Sequence, residues 1–258
     1  MRDATNTGYV NLTRHDGNLV ITTPQQVIDG LDIYGNVVIK APFAILRRCI
    51  IRGGPPITQG QNALLSIVSA GAGGYVVEDC TLTPQYPNVR QNAIFTNQAG
   101  ILQRLNISGT ADGVVIYGNG VTLQDSYLHD FVSYPSDPAQ GGKASHSDAI
   151  ALQAGQGVTI RRNAISGGSN AAVIITQDAG VVGDLQLDDN DIDGGQVSVN
   201  VVTNGNPLSN IKMRRNHFGR AQTIAGGAIM ANPKHCAPDI TGSVWADTGQ
   251  AITIKRGA

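Results

Sequence analysis

Thr159-Ile160-Arg161-Arg162-Asn163-Ala164-Ile165 is the stretch that decides the fold. It holds alternating apolar residues, two polar residues, a small or amide residue and then an apolar pair. The pattern occurs seven times, the other copies being Ile45-Leu46-Arg47-Arg48-Cys49-Ile50-Ile51, Val76-Val77-Glu78-Asp79-Cys80-Thr81-Leu82, Ile101-Leu102-Gln103-Arg104-Leu105-Asn106-Ile107, Thr122-Leu123-Gln124-Asp125-Ser126-Tyr127-Leu128, Gln186-Leu187-Asp188-Asp189-Asn190-Asp191-Ile192 and Lys212-Met213-Arg214-Arg215-Asn216-His217-Phe218. The fifth residue of each copy falls at 49, 80, 105, 126, 163, 190 and 216, with separations of 31, 25, 21, 37, 27 and 26 residues. Self-similarity at such a period marks stacked structural repeats.

Between the copies lie short β-rich runs, among them Ala63 to Val68, Ala93 to Thr96, Gly113 to Tyr117, Ala149 to Gln153 and Ala172 to Thr176. Each coil therefore carries at least two strands. A strand of five or six residues has nothing to bury its apolar face against until the next coil stacks on it. The expected fold is all-β, a single-stranded right-handed parallel β-helix of the pectate-lyase-like kind, the hand following from the general rule for parallel connections. A β-propeller is the runner-up, but its blades need longer and more even repeats. Successive coils place the fifth residues about 4.8 Å apart, so Asn163, Asn190 and Asn216 are expected to form an amide ladder. Cys49 and Cys80, small and easily buried, are read as members of the same column. One domain is expected over 1–258, with an N-terminal cap over 1–16, coils over 17–235 and a C-terminal capping segment over 236–258 that contains Trp245 and the run Ala251-Ile252-Thr253-Ile254. The segment Val27-Ile28-Asp29-Gly30-Leu31-Asp32-Ile33 is read as strand.

Eighteen Lys and Arg stand against nineteen Asp and Glu, a net charge of −1. Such a chain offers no field for nucleic acid or for an anionic membrane, and no apolar run approaches the roughly 20 residues of a membrane-spanning helix. The opening Met1-Arg2-Asp3-Ala4-Thr5-Asn6 lacks the apolar core of a secretion signal, which reads as a chain made without export. Three cysteines are too few for a disulfide framework and are not spaced for a metal. No cofactor and no metal are expected, the carboxylates of Asp188, Asp189, Asp191 and Asp193 being directed differently along a strand and bend.

The chain resembles right-handed parallel β-helix minor tail proteins of actinobacteriophages and related secreted actinobacterial β-helix proteins. The likeness is carried by Ala4-Thr5-Asn6-Thr7-Gly8, Ile21-Thr22-Thr23-Pro24, the Val27–Ile33 stretch, His146-Ser147-Asp148-Ala149-Ile150 with Val158 to Asn163, and Val244-Trp245-Ala246-Asp247-Thr248-Gly249. It implies a virion tail component that contacts host cell-surface polysaccharide and other tail proteins, with a homotrimer expected by analogy and a secreted location as the alternative.

The separation of 37 residues between Ser126 and Asn163 exceeds the usual coil by about ten, and the excess is the Pro-, Gly- and Ser-rich stretch from Phe131 to His146. Long loops on a rigid scaffold are where sites are built. Asp112 and Asp148 each precede a strand of adjacent coils, so they are expected about 4.8 Å apart. Two carboxylates so placed hold one proton between them, an arrangement suited to cleaving or rearranging sugar polymers. Asp112, Asp148 and His146 are the catalytic candidates of a lyase, glycoside hydrolase or epimerase, and His129, Asp130, Tyr134, Lys143 and Gln153 the binding candidates. The competing reading places Asp112 and Asp148 in a column with Asn62 and Asn92, as short side chains bonded to turn backbone. Gly113, Val115, Ala149, Ala151, Ala172 and Ile174 are expected to face outward, which makes a groove poor in sugar-gripping aromatics. His15, His217 and His235 are read as surface or turn residues.

Overall fold

The computed structural model describes residues 3, 5, 12–57 and 62–257. Within them the chain winds into one continuous stack of coils whose strands form two ten-stranded sheets and one nine-stranded sheet, and every paired strand is parallel to its neighbours. Each complete coil contributes three strands, one more than the minimum read from sequence. Sheet I contains Gln91–Thr96, Asp112–Ile116, Asp148–Leu152 and Ala171–Ile175, sheet II contains Gly100–Gln103, Val121–Gln124 and Thr159–Arg161, and sheet III contains Asn106–Ile107, Tyr127–Leu128 and Ala164–Gly167. The interior is a file of fully buried aliphatic side chains, such as Ile94, Val114, Ile150 and Val173 stacked along sheet I. The backbone of each coil bonds to its neighbours along the axis, so no strand is stable without the coil beside it.

The repeated seven residues are the corner between sheets II and III. Their fourth residue turns the chain in the left-handed region at every copy, with Arg48, Asp79, Arg104, Asp125, Arg162, Asp189 and Arg215 at φ between 51° and 60°. Each donates its N–H to the next coil, as Arg104 does to the Gln124 carbonyl at 3.1 Å and Arg162 to that of Asp188 at 3.3 Å. The fifth residue then points inward. Asn163 and Asn190 donate through Nδ2 to the Oδ1 of Asn190 and Asn216, each at 3.0 Å, and the same oxygens accept the backbone N–H groups of Asn163 and Asn190. Ser126 and Ser243 extend this ladder at its two ends. Cys49 and Cys80 occupy the column as expected, both fully buried, with Thr81 donating its N–H to the Cys49 carbonyl.

The same corner carries a charge pattern that acquires meaning only in register. Along the axis the third and fourth residues run Asp29-Gly30, Arg47-Arg48, Glu78-Asp79, Gln103-Arg104, Gln124-Asp125, Arg161-Arg162, Asp188-Asp189 and Arg214-Arg215. Parallel stacking sets equivalent residues over one another, and here acidic rungs alternate with basic ones. Arg47 and Arg48 pair with Asp29, Arg104 with Glu78 and Asp79, Arg162 with Asp125, and Arg214 and Arg215 with Asp188 and Asp189. All four of Asp188, Asp189, Asp191 and Asp193 have partners, since Asp191 also meets His217 at 3.1 Å and Asp193 Oδ1 accepts the N–H groups of Gly194 and Ala221, each at 2.8 Å.

Several boundaries move. Most of residues 1–11 lie outside the described residues, but Thr13–Asp16, assigned to the N-terminal cap, is a strand in parallel register with Leu31–Tyr34. Val27–Asp29 and Leu31–Tyr34 are two strands turned at Gly30, φ 71°, and so form an eighth copy of the corner. At the other end the coils pass residue 235, with Val244–Trp245 paired to His217–Phe218 and Ile254–Arg256, rather than 251–254, paired to Ile229–Ala231. Phe218 and Trp245 fill the last of the interior, and the Arg220 guanidinium lies 3.8 Å over the Trp245 ring.

Candidate functional site

The long excursion leaves sheet III after Leu128 and re-enters sheet I at Asp148. It is held as a folded arm by its own backbone. Tyr134 accepts from the Ser145 N–H at 2.9 Å, the Asp137 N–H donates to the Lys143 carbonyl at 2.7 Å, and the Ser147 hydroxyl donates to the Val132 carbonyl at 2.9 Å. At its tip a short turn of 3-10 helix, Pro138–Gln140, is capped by Asp137, whose Oδ1 accepts the Ala139 N–H at 2.8 Å. Phe131 seats the base of the arm over Gly113. A Cβ at that glycine would lie 2.2 Å from the Ala149 carbonyl oxygen and within 2.9 Å of the Phe131 ring. Gly113 is therefore covered, and Ala149 and Ala172, next to the inward Ile150 and Val173, are fully buried rather than open to solvent.

Under the arm a cleft of about 230 Å³ opens on the outer face of sheet I. It brings together Asp112, Asp148, His146 and Gln153 from the expected set and adds Asp137 and Asp178. Ala151 and Ile174 line its floor. His129, Asp130, Tyr134 and Lys143 are not among its lining residues. His129 instead bonds to Asp130 at 2.6 Å and to the Asn106 side chain at 2.8 Å, and stacks on Tyr127 at 4.0 Å beside sheet III. Tyr134 donates its N–H to the Ser145 hydroxyl within the arm, and Lys143 is exposed at its tip.

Asp148 is 5% exposed, Asp112 only partly buried by surface area. Asp112 Oδ1 accepts the backbone N–H of Asp148 at 3.0 Å, and both oxygens of Asp148 accept from Asn170 Nδ2, at 2.9 and 3.2 Å. The pair thus bonds along the column of strand starts. Asn92 belongs to that column, being in register with Asp112, whereas Asn62 lies opposite Gln91, one residue out of step with the expected alignment. Burial is the main cause that pushes Asp112 up to about 6, helped by the charge of Asp137 and opposed by the Asp148 N–H. Burial again, followed by the charge of Asp112, pushes Asp148 up to about 8, against the hydrogen bonds from Asn170 and the Ala171 N–H. Asp148 is the group that keeps its proton at neutral pH and Asp112 the one that loses it.

A family model described as the right-handed beta helix region matches residues 65–237. The chain belongs to the right-handed beta helix family. No curated protein and no solved structure matches it. The matched stretch of this β-helix contains the arm, the carboxylate pair and all but the terminal coils.

Of the residues that line the cleft of this β-helix, Asp178 had a legible signal. It follows Ile174 and Thr176 at the two-residue period that places side chains on one face, and it lies beyond the end of Ala171–Ile175. Asp137 sits on a loop without periodicity, and only its Asp-Pro dipeptide marks a turn. Chemically, the cleft offers the carboxyl groups of Asp112, Asp137, Asp148 and Asp178, an exposed imidazole and the amides of Gln140 and Gln153.

Proposed function

We propose that this β-helix is a phage tail protein that contacts host cell-surface glycans through the cleft under the 131–147 arm. The observation that carries this reading is the cleft itself. Hydrogen-bonding donors and acceptors converge there over Ala151 and Ile174 on a rigid sheet face, a polar cleft matched to the hydroxyl groups of a sugar. The tail setting rests on the likeness of the sequence to minor tail proteins, and with it come the virion location, contacts to other tail proteins and a homotrimer.

The test has two arms. The protein should be found by mass spectrometry in purified virions, and it should be retained by host cell-wall polysaccharide, with retention lost in Ala151→Phe, which fills the cleft floor. Absence from virions sinks the tail assignment, and retention unaffected by the filled floor sinks the site.

A second reading, a secreted lyase, hydrolase or epimerase, is favoured by one observation, the two raised carboxyl groups in a single cleft with His146 beside them. It is disfavoured by the bonding of both carboxyls to neighbouring strand starts rather than to one another across the opening. Shortened or unsaturated polysaccharide after incubation would establish the enzyme, and retention without product would exclude it.

A further inference from the structure

We infer that Tyr117, buttressed edge to face by Phe95, is an aromatic contact beside the cleft, and that the ligand is an uncharged polysaccharide chain running along the solenoid axis across it. The inference rests on the glycan-binding reading above and specifies the glycan's class.

The two rings meet edge to face at 4.8 Å between centroids, with planes 81° apart. Both stand on the outer face of sheet I. Phe95 is in register with Val115 and Val115 with Ala151, a floor residue of the cleft, while the Ile116–Leu152 pairing sets Tyr117 beside Gln153 on its wall. Tyr117 is 36% exposed. Burial, with the charges of Asp178 and Asp112, raises its phenol above the ordinary value. The face expected from sequence to lack aromatics thus holds a pair of them, Tyr117 one rung and Phe95 two rungs from the strand of Ala151. A rung is about 4.8 Å, close to the advance of one sugar residue along an extended chain. A pyranose in the cleft has its neighbour over the exposed Tyr117 ring, where the C–H face of the sugar covers an aromatic surface that water hydrates poorly.

Charge narrows the class. Asp112, Asp137, Asp148 and Asp178 line the cleft, and none of its lining residues is Lys or Arg. A uronate chain would bring like charge into a partly enclosed space. A chain of neutral sugars meets only acceptors and donors for its hydroxyls.

The experiment is calorimetric titration of the full chain with galactose, cellobiose, galacto-, manno- and cellohexaose, and with hexagalacturonate as the anionic comparator. At least one neutral hexasaccharide is expected to bind, more tightly than a mono- or disaccharide and than hexagalacturonate. Tyr117→Ala and Phe95→Ala are each expected to weaken hexasaccharide binding about tenfold, the scale of one aromatic contact, with Tyr117→Phe restoring it. Hexagalacturonate binding as tight as the neutral chains overturns the charge argument. Hexasaccharide binding unchanged in both alanine variants but lost in Ala151→Phe overturns the aromatic contact and leaves the cleft standing. No binding of any neutral hexasaccharide by the wild-type chain overturns the inference and counts against the cleft as well.

Discussion

The Oδ1 atom of Asp112 accepts the backbone N–H of Asp148 at 3.0 Å, so one carboxylate of the cleft is tied to the strand that carries the other. Neither can move without the coil beneath it. The pair also titrates in a folded environment that disfavours its charge.

Both carboxyl pKa values are raised above those of the unfolded chain, so folding takes up protons. The stabilisation is complete below about pH 4 and is lost as pH rises through about 6 for Asp112 and about 8 for Asp148. Thermal unfolding followed from about pH 5 to about pH 9 should show a decline on the order of a few kcal/mol. Asp148→Asn, whose amide oxygen still accepts from Asn170, should flatten that decline and make the variant more stable than wild type at the alkaline end. A variant with the wild-type slope would show that the buried pair is not its source.

The amide ladder predicts a graded cost. Asn190→Ala removes bonds to the Ile160 and Asp188 carbonyls and to Asn216, and leaves the Asn163 N–H without an acceptor and the Asn163 amide with the Leu123 carbonyl alone. The expected loss is roughly 2–4 kcal/mol, measured by urea denaturation. Replacement of the half-exposed Asn200 on the sheet I face by alanine should cost under about 0.5 kcal/mol.

Arg162 stands between Asp125 and Asp189 in the charged corner and bonds to Asp125 at 2.8 and 3.0 Å. Arg162→Asp stacks three carboxylates in file. At low salt it should destabilise by about 1 kcal/mol more than Arg162→Gly, which accepts the left-handed backbone and carries no charge. The gap between the two should close at high ionic strength. A gap independent of salt would mean that repulsion is not the cause.

Phe131 is the anchor of the arm. Phe131→Ala should cost on the order of 2 kcal/mol, confined to the arm, and limited proteolysis should then cut within 131–147 while the coils stay intact. Polysaccharide retention should fall with it, because Asp137 and His146 reach the cleft only through this segment.

The coils were legible because Asn163, Asn190 and Asn216 recur at one position of a pattern whose apolar members must face a shared interior. The first corner escaped notice because Gly30 replaces the polar fourth residue that all the other copies carry. The alternation of charge at the fourth position is written in the chain, yet it is only a string of signs until register brings Arg104 over Asp79. Asp112 and Asp148 were paired correctly from their strand positions, while Asn62 was misplaced by a single residue, the smallest error that sends a side chain to the other face. His129, Tyr134 and Lys143 were grouped with the site through nearness in sequence. The arm carries two of them away from the cleft, and the third remains at the corner of sheet III.

The charged corner also restricts how a protein of this kind can change length. Excising a single turn would abut arginine on arginine or aspartate on aspartate, whereas excising two would rejoin opposite signs. Growth and shrinkage by even numbers is the rule this seam imposes, and shortened or lengthened descendants that keep it should carry their turns in couples.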